Sequence, residues 1–292
     1  MLITVFTPAY NRAHLLPNVF ESLCKQTFKY FEWVIVDDGS KDDTRSLSLS
    51  FSQREGTDFP IRYFYQENGG KHRAINRGVK EARGELFLIL DSDDTLPEKS
   101  LETINHYYQQ IKDDRSFGGV CGYMAHHDGT IIGRGCDMPV LDANSIDSEY
   151  KHQIHGDMCE VFRTSVLKEI PFPDIPGEKF VPEDLVLHRI AAKYQLRFFH
   201  EVIYYRDYLE GGLTDKIIKI RMTSPIASTS CYGELSERDI PIRYKIKAAI
   251  NYYRFYYCLK DQKDCETRIR KKWFWTKPLG WLMHIHDLKV TK

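Results

Sequence analysis

The sequence predicts an α/β fold: a mixed, mostly parallel sheet flanked by helices, with a helical extension at the C-terminus. Three observations lead there. Across residues 1–120, short runs rich in Ile, Val, Phe and Tyr alternate with segments of helical periodicity. The links between them are short, as successive βαβ units require. A polar cluster follows each of the first four apolar runs, at the strand ends where parallel sheets place their ligands.

The four strands are expected at Leu2–Phe6, Trp33–Val36, Ile61–Tyr65 and Leu86–Leu90. Three apolar stripes mark helices. The first is Leu15, Leu16, Val19, Phe20 and Leu23. The second is Ala74, Ile75, Val79 and Ala82, ended by Gly84, and the third is Leu101, Ile104, Tyr108 and Ile111. Beyond residue 115, Gly118–Met124 and Thr130–Gly133 read as a strand pair joined through His127-Asp128-Gly129. Glu160–Ile170 and Glu183–Tyr194 read as helices and Leu196–Tyr205 as a strand. From about Asp215 the chain is helical, basic and aromatic.

The chain has 292 residues, 42% of them hydrophobic and 28% charged, which is ordinary for a globular protein. Lys+Arg and Asp+Glu balance at 41 each, so no global positive field argues for a nucleic-acid partner. Seven cysteines without CxxC pairs argue against a disulfide framework and for a cytosolic setting. The N-terminal residues lack the charged and apolar regions of a signal peptide. No stretch reaches the roughly 20 apolar residues of a spanning helix.

The fourth cluster, Asp91-Ser92-Asp93-Asp94, carries the most chemistry. Two carboxylates at a strand end with little chain between them suit a hard divalent cation, Mn²⁺ or Mg²⁺, which takes oxygen ligands from one or two carboxylates and from phosphates. Such a cation stabilises the charge that develops on a departing diphosphate. The alternative is a solvated turn in which Asp94 or Thr95 caps a helix. The second cluster, Asp37-Asp38-Gly39-Ser40, can cap a helix or accept the N3–H of uracil. In the first, Thr7-Pro8-Ala9-Tyr10-Asn11-Arg12, Tyr10 could cover a nucleobase, or Asn11 could cap a helix. In the third, Asn68-Gly69-Gly70-Lys71-His72-Arg73, glycines let the backbone approach an anion at a helix N-terminus. Its cations oppose the helix dipole and need another reason to be there.

In this order and spacing the four clusters resemble the family 2 glycosyltransferases of GT-A fold. Thr7 to Arg12, Asp37 to Ser40, Asn68-Gly69-Gly70 with Ala74 and Asn76, and Leu90 to Asp94 carry the resemblance. Looser likeness continues through Gly156 to Glu160, Phe180 to Asp184 and Tyr205 to Thr214, toward bacterial transferases that build capsule, O-antigen or exopolysaccharide. The resemblance implies a Rossmann-like nucleotide-diphospho-sugar transferase. It would be an inverting enzyme that uses a nucleotide-sugar donor, often a UDP-sugar, with Mn²⁺ or Mg²⁺, and glycosylates a hydroxyl of a glycan or lipid-linked acceptor. It implies donor contacts at Thr7, Pro8, Ala9, Tyr10, Arg12, Asp38, Asn68, Gly70, Lys71, Arg73, Asp91 and Ser92. Asp38 would read uracil, Asp91 would face the donor, and Asp93, with Asp91, would hold the metal. The general base is placed on Asp184, with Glu183 as runner-up, in a Glu-Asp motif that opens a helix after Pro182. The domain division is then 1–214 for catalysis, with a nucleotide-sugar half at 1–115 and an acceptor half at 116–214, and 215–292 for the extension.

His155, Gly156 and Asp157 are candidates to line the acceptor pocket. His126 and His127 suggest a metal cluster, but adjacent residues of a hairpin point to opposite faces, which argues against it. Tyr204, Tyr205 and Tyr208 are core or rim residues that could stack on sugars. In the tail, Arg268, Arg270, Lys271 and Lys272 precede Trp273-Phe274-Trp275, and Lys277, Trp281, Leu282, Met283 and Ile285 follow. This composition suits either an anionic membrane surface, hence the inner face of the plasma membrane, or a helix packed back on the protein. Two further functions compete. A sugar nucleotidyltransferase would carry a Gly-rich basic loop after the first strand, where Thr-Pro-Ala-Tyr-Asn stands. An inactive carbohydrate-binding protein would not need the acids at 91, 93, 183 and 184.

Overall fold

The computed structural model describes residues 2–54, 57–133, 138–207, 216–265 and 267–290. The chain forms two compact units, Met1–Pro171 with Ile190–Asp207, and Phe172–Arg189 with Tyr208–Lys292. The helical extension expected from residue 215 thus shares its unit with Phe172–Arg189.

The first unit is built on an eight-stranded sheet. Its strands are β1 Ile3–Ala9, β2 Phe31–Asp37, β3 Ile61–Tyr65, β4 Leu86–Ile89, β5 Phe117–Ala125, β6 Val140–Ala143, β7 Met158–Arg163 and β8 Gln195–Tyr205. They lie in the order β3-β2-β1-β4-β7-β5-β8-β6. β1 pairs in parallel with β2 and β4, and β2 with β3. β7 is antiparallel to both neighbours, β4 and β5. The chain winds outward from β1 to β3, then crosses to the other side of β1 for β4. That reversal opens a crevice at the carboxyl ends of β1 and β4, where open α/β sheets bind ligands.

Helices α1 Leu16–Cys24, α2 Thr44–Phe51, α3 Lys71–Glu81, α4 Ser100–Gln109, α5 Ser145–Tyr150 and α6 Thr164–Glu169 complete this unit. All of β2 is buried and β1 nearly so, because central parallel strands are covered on both faces. β3, at the edge, is half-buried. α1 buries the expected stripe, and Phe20 stacks on Phe51 of α2 at 4.6 Å and on Trp33 of β2 at 6.2 Å. Burying each such ring contributes about 1.5–3 kcal/mol.

The expected helix at Glu160–Ile170 is instead the end of β7 followed by α6. Met158–Arg163 alternates in burial and is wedged between β4 and β5, so tertiary pairing overrides its helical pattern. The second arm of the expected hairpin shrinks to a single bridge, Ala125 to Ile131. α3 stops at Glu81, before Gly84. Gly84 serves another purpose, since a Cβ there would lie 2.4 Å from the Thr4 amide nitrogen.

The second unit contains the start of α7 Glu183–Ala191, then α8 Ile217–Thr223, α9 Pro225–Leu235, α10 Ile242–Tyr256 and α11 Lys277–Val290. Ala249, Tyr252, Tyr253, Cys265, Ile269 and Trp273 form a core within it. Among the described residues no helix is long and apolar enough to cross a membrane.

Candidate functional site

The turn after β1 is fixed from β2. Asn11 adopts a positive φ of 54°, which asparagine tolerates. Its N–H donates to Ser40 Oγ at 2.8 Å, and its side-chain oxygen accepts the Lys41 N–H at 2.8 Å. Asn11 therefore ties two loops together and caps no helix. Tyr10 is left exposed, with Pro8 and Arg12 half-buried beside it. Thr7 is fully buried and its hydroxyl accepts the Trp33 Nε1–H at 2.9 Å. Ala9 is buried too, and its carbonyl accepts the Asp38 N–H. Both side chains are buried at the end of β1.

Asp38 has a task that its sequence neighbours do not reveal. Its buried carboxylate accepts four hydrogen bonds from the segment after β3: Gln66 Nε2 at 2.7 Å, Asn68 Nδ2 at 3.2 Å, and the backbone N–H groups of Gly69 and Gly70 at 2.9 and 2.8 Å. That matches the roughly four acceptor positions of a carboxylate. Gly39, at φ +86°, lets the loops close, since a Cβ there would sit 2.8 Å from the Asn68 amide nitrogen. The two glycine amides expected to meet phosphate are thus held by Asp38, and Asp38 would have to release a donor before reading uracil. Asp38→Ala leaves these half-buried donors unmet. It is expected to cost about 3–5 kcal/mol and to lower Tm by roughly 10 °C, measured by thermal melting. An unchanged Tm would show that the clamp does not hold the loops.

The cations that follow also gain an explanation. Lys71 Nζ lies 2.8 Å from Asp91 Oδ1 and 2.9 Å from Oδ2, so its position against the α3 dipole is offset by an ion pair. Arg73 donates to the Gly69 carbonyl at 2.7 Å, and His72 is buried.

The three acids of the run after β4 occupy three environments. Asp91 is half-buried against Lys71. Asp93 is exposed, has no ion-pair partner among the described residues, and lines a cleft of about 840 Å³ with Thr95, Lys99, His127 and Tyr205. Asp94 is buried and accepts the Tyr204 hydroxyl at 2.7 Å, while that hydroxyl accepts the Asp91 N–H at 3.0 Å. Burial, then the charge of Asp91, pushes the Asp94 carboxyl up to about 7. Ser92 is buried.

Asp94 caps no helix, contrary to the sequence expectation. α4 begins only at Ser100, because Thr95 exchanges backbone hydrogen bonds with Tyr205 and is drawn into a bridge with β8. The raised Asp94 value has a signed consequence in the metal-free protein. The unfolded chain releases this proton near pH 4 and the folded chain near pH 7. The stabilisation is therefore full below about pH 4 and is lost as pH rises through about 7, roughly 2–4 kcal/mol in all. Chemical denaturation of wild type and Asp94→Asn from pH 4 to 8 should show that slope only in wild type. Parallel curves would exclude it.

Asp157, a candidate acceptor contact, pairs with Arg206 Nη1 at 2.9 Å. Gly156, at φ +119°, lies back to back with Gly133, and His155 is exposed. His126 and His127 do not diverge. They sit in the turn rather than in the strand, and their Nδ1 atoms converge on Asp207 at 3.0 and 2.6 Å. His127 Nε2 also meets Thr95 Oγ1 at 2.9 Å. Tyr208 lies outside the described residues, as do the residues through 214 of the motif that contains it. Sequence reasoning placed Tyr204 in the core or rim but missed its bonds to the acid run, together with Arg206 and the role of Asp94. Their only sequence signal is the aromatic and basic end of β8.

In the second unit, Glu183 and Asp184 occupy the first turn of α7, and both are exposed. Arg221 Nη2 lies 3.7 Å from Asp184 Oδ2. Arg221 is itself wedged against the Phe180 and Tyr232 rings, 5.9 and 5.2 Å from their centroids. His188, one turn beyond Asp184, is buried, and burial pushes its imidazole below the usual range.

No group of three or more His, Cys, Asp or Glu side chains among the described residues could hold a metal ion by itself. The carboxylates of Asp93 and Asp91 fit a hard cation that completes its shell with phosphate oxygens and water.

Comparison with known proteins gives this geometry a setting. The model of glycosyl transferase family 2 matches residues 4–126. An uncharacterized glycosyltransferase of Rickettsia typhi is 34% identical over 122 residues, 42% of this chain and 36% of the relative. Glycosyltransferase GlyG of Streptococcus pneumoniae is 37% identical over 38% of this chain and 36% of the relative. The chain thus spans about a third of the length of these relatives. A putative teichuronic acid biosynthesis glycosyltransferase, TuaG of Bacillus subtilis, is 29% identical over 60% of this chain and 67% of the relative. Among solved structures, TarS 1–349 of S. aureus superposes with a TM-score of 0.61 at 18% identity, covering 98% of this chain and 80% of that one. It has also been solved with UDP and with UDP-GlcNAc. The mannosyltransferase PcManGT of Pyrobaculum calidifontis, in complex with GDP-Man and Mn²⁺, gives a TM-score of 0.59 at 17% identity, covering 98% and 75%. These structural likenesses are of fold, and the fold is GT-A. Residues 4–126, the part that resembles glycosyl transferase family 2, hold all four sheet-edge motifs.

Proposed function

We propose that the protein transfers a sugar, with inversion, from a nucleoside-diphosphate sugar to a hydroxyl of a glycan or lipid-linked acceptor during cell-surface polysaccharide synthesis. The observation that carries this is the division of the acid run after β4. One carboxylate, Asp93, is exposed in a cleft with no ion-pair partner among the described residues, and a second, Asp91, is matched by Lys71. That arrangement supports a cation site beyond the carboxyl end of β4. The named relatives support the reaction class, and TuaG supports the polysaccharide setting.

Uridine is the proposed base, on the TarS complexes with UDP and UDP-GlcNAc. Tyr10, exposed after β1, is the proposed cover for it, and Arg12 and Lys71 are the proposed positive charges for the diphosphate. A divalent ion, Mn²⁺ or Mg²⁺, held by Asp93 and Asp91, would stabilise charge on the departing diphosphate. The Mn²⁺ of PcManGT supports a divalent ion on this fold. Asp184 is the proposed base. As the acceptor oxygen bonds to the anomeric carbon, the carbon–oxygen bond to phosphate breaks with its electron pair. The hydroxyl proton passes to the Asp184 carboxylate. The Pro182-Glu183-Asp184 motif and the hold of Arg221 on Asp184 support this assignment.

A panel of UDP- and GDP-sugars, each with Mn²⁺ or with EDTA, tests the proposal through released nucleoside diphosphate. Release of UDP from a UDP-sugar in the presence of Mn²⁺ alone is the expected result. Formation of UTP from a UDP-sugar once pyrophosphate is added would indicate a nucleotidyltransferase, and binding without turnover across donors and acceptors would indicate a binding protein.

A further inference from the structure

The polarity of α11 is inverted. A surface helix normally turns its apolar stripe inward. Here the inward seam is small and polar. Gly280 packs on α10 so closely that a Cβ would lie 2.4 Å from Tyr253 Cβ, and Asp287 is buried in an ion pair with Arg254, with Nη2 to Oδ1 at 2.7 Å. The outward side shows Leu279, Trp281, Leu282 and Leu288, and the preceding 3₁₀ turn exposes Phe274 and Trp275. Lys271 in that turn and Lys277 and Lys289 in α11 are exposed as well. The acid of this helix, Asp287, is neutralised from within by Arg254.

We infer that this face of α11 and the turn before it is a docking surface for an anionic lipid bilayer, on which the helix lies flat. The exposed tryptophans suit the headgroup layer, the leucines suit the acyl boundary beneath, and the lysines suit anionic headgroups. A helix of 14 residues, about 21 Å long, is too short to span and lies along the surface. A second copy of the chain is a poorer fit, because lysine is depleted at protein–protein interfaces. Trp273, by contrast, is core: it is buried and donates to Glu237 at 3.1 Å. Truncation before it would remove part of the second unit's core, so substitutions make the better test.

The experiment is co-sedimentation of the full chain with vesicles of phosphatidylcholine alone, or with a third of phosphatidylglycerol. The wild type should partition at least about tenfold more strongly onto the anionic vesicles, less so as salt rises. The Leu279→Ser, Trp281→Ser, Leu282→Ser variant should lose about tenfold or more of that binding with an unchanged melting curve. Lys277→Glu with Lys289→Glu should abolish the preference for anionic vesicles. Equal binding of the wild type to both vesicles, or unaltered binding of the triple variant, would overturn the inference. A wild-type dimer that ignores vesicles and that the triple variant makes monomeric would overturn it in favour of self-association.

Discussion

Asp93→Ala is expected to lower kcat/KM for sugar transfer about a thousandfold while leaving the fold intact. Removing a carboxylate that holds a leaving-group cation forfeits on the order of 4 kcal/mol of transition-state stabilisation. Asp93 is exposed and has no ion-pair partner among the described residues, so the stability change should stay within about 0.5 kcal/mol. Asp91→Ala should behave differently. It removes the carboxylate 2.8 Å from the Lys71 ammonium, so activity and stability should fall together. Initial rates and thermal melts of the two variants separate the roles. Near-normal transfer by Asp93→Ala with saturating Mn²⁺ would remove Asp93 from the mechanism.

Asp184→Asn is expected to lower kcat by about 10²–10⁴-fold, the usual contribution of a positioned base, with little change in donor KM. Glu183→Gln should cost less than about tenfold by the same measure. The amide keeps the shape of the side chain at the N-terminus of α7, so a folding defect is not expected. Arg221→Ala should loosen Asp184 and lower kcat less than its removal does. Steady-state kinetics at several pH values checks all three, since loss of the base also removes the acid limb of the rate profile. If Glu183→Gln is the severe variant, the base is Glu183.

The parts of the fold that sequence reveals are those with local causes. Leu86 to Leu90 reads as a buried strand because its neighbours in the chain are apolar and turn residues bound it. The stripe from Leu16 to Leu23 reads as a helix for the same kind of reason, and both appear where expected. The misread element, Met158–Arg163, owes its strand to partners on β4 and β5, which sequence spacing cannot supply.

The site divides in the same way. Its four motifs stand out because each follows a strand and carries residues suited to phosphate, base or cation. Their internal allocation rests on distant partners. Asp38 meets donors about thirty residues away, Asp91 meets Lys71 twenty residues away, and Asp94 meets Tyr204, which is 110 residues distant. From the sequence, Asp94-Thr95 ahead of Pro97 and Glu98 looks like a helix start. The backbone pairing of Thr95 with Tyr205 gives Asp94 a buried hydrogen bond instead. His126 and His127 mislead for a related reason: strand alternation ends at Ala125, and the turn brings both rings to one carboxylate.

The central claim is that Asp93 holds a divalent cation against the donor's diphosphate. Calorimetric titration of UDP into the wild type and into Asp93→Ala, each with and without Mn²⁺, measures it directly. The account predicts that Mn²⁺ tightens UDP binding at least about tenfold in the wild type and has almost no effect in Asp93→Ala, whose metal-free affinity stays near that of the wild type. UDP affinity indifferent to Mn²⁺ in the wild type, or an equal gain in Asp93→Ala, would contradict it.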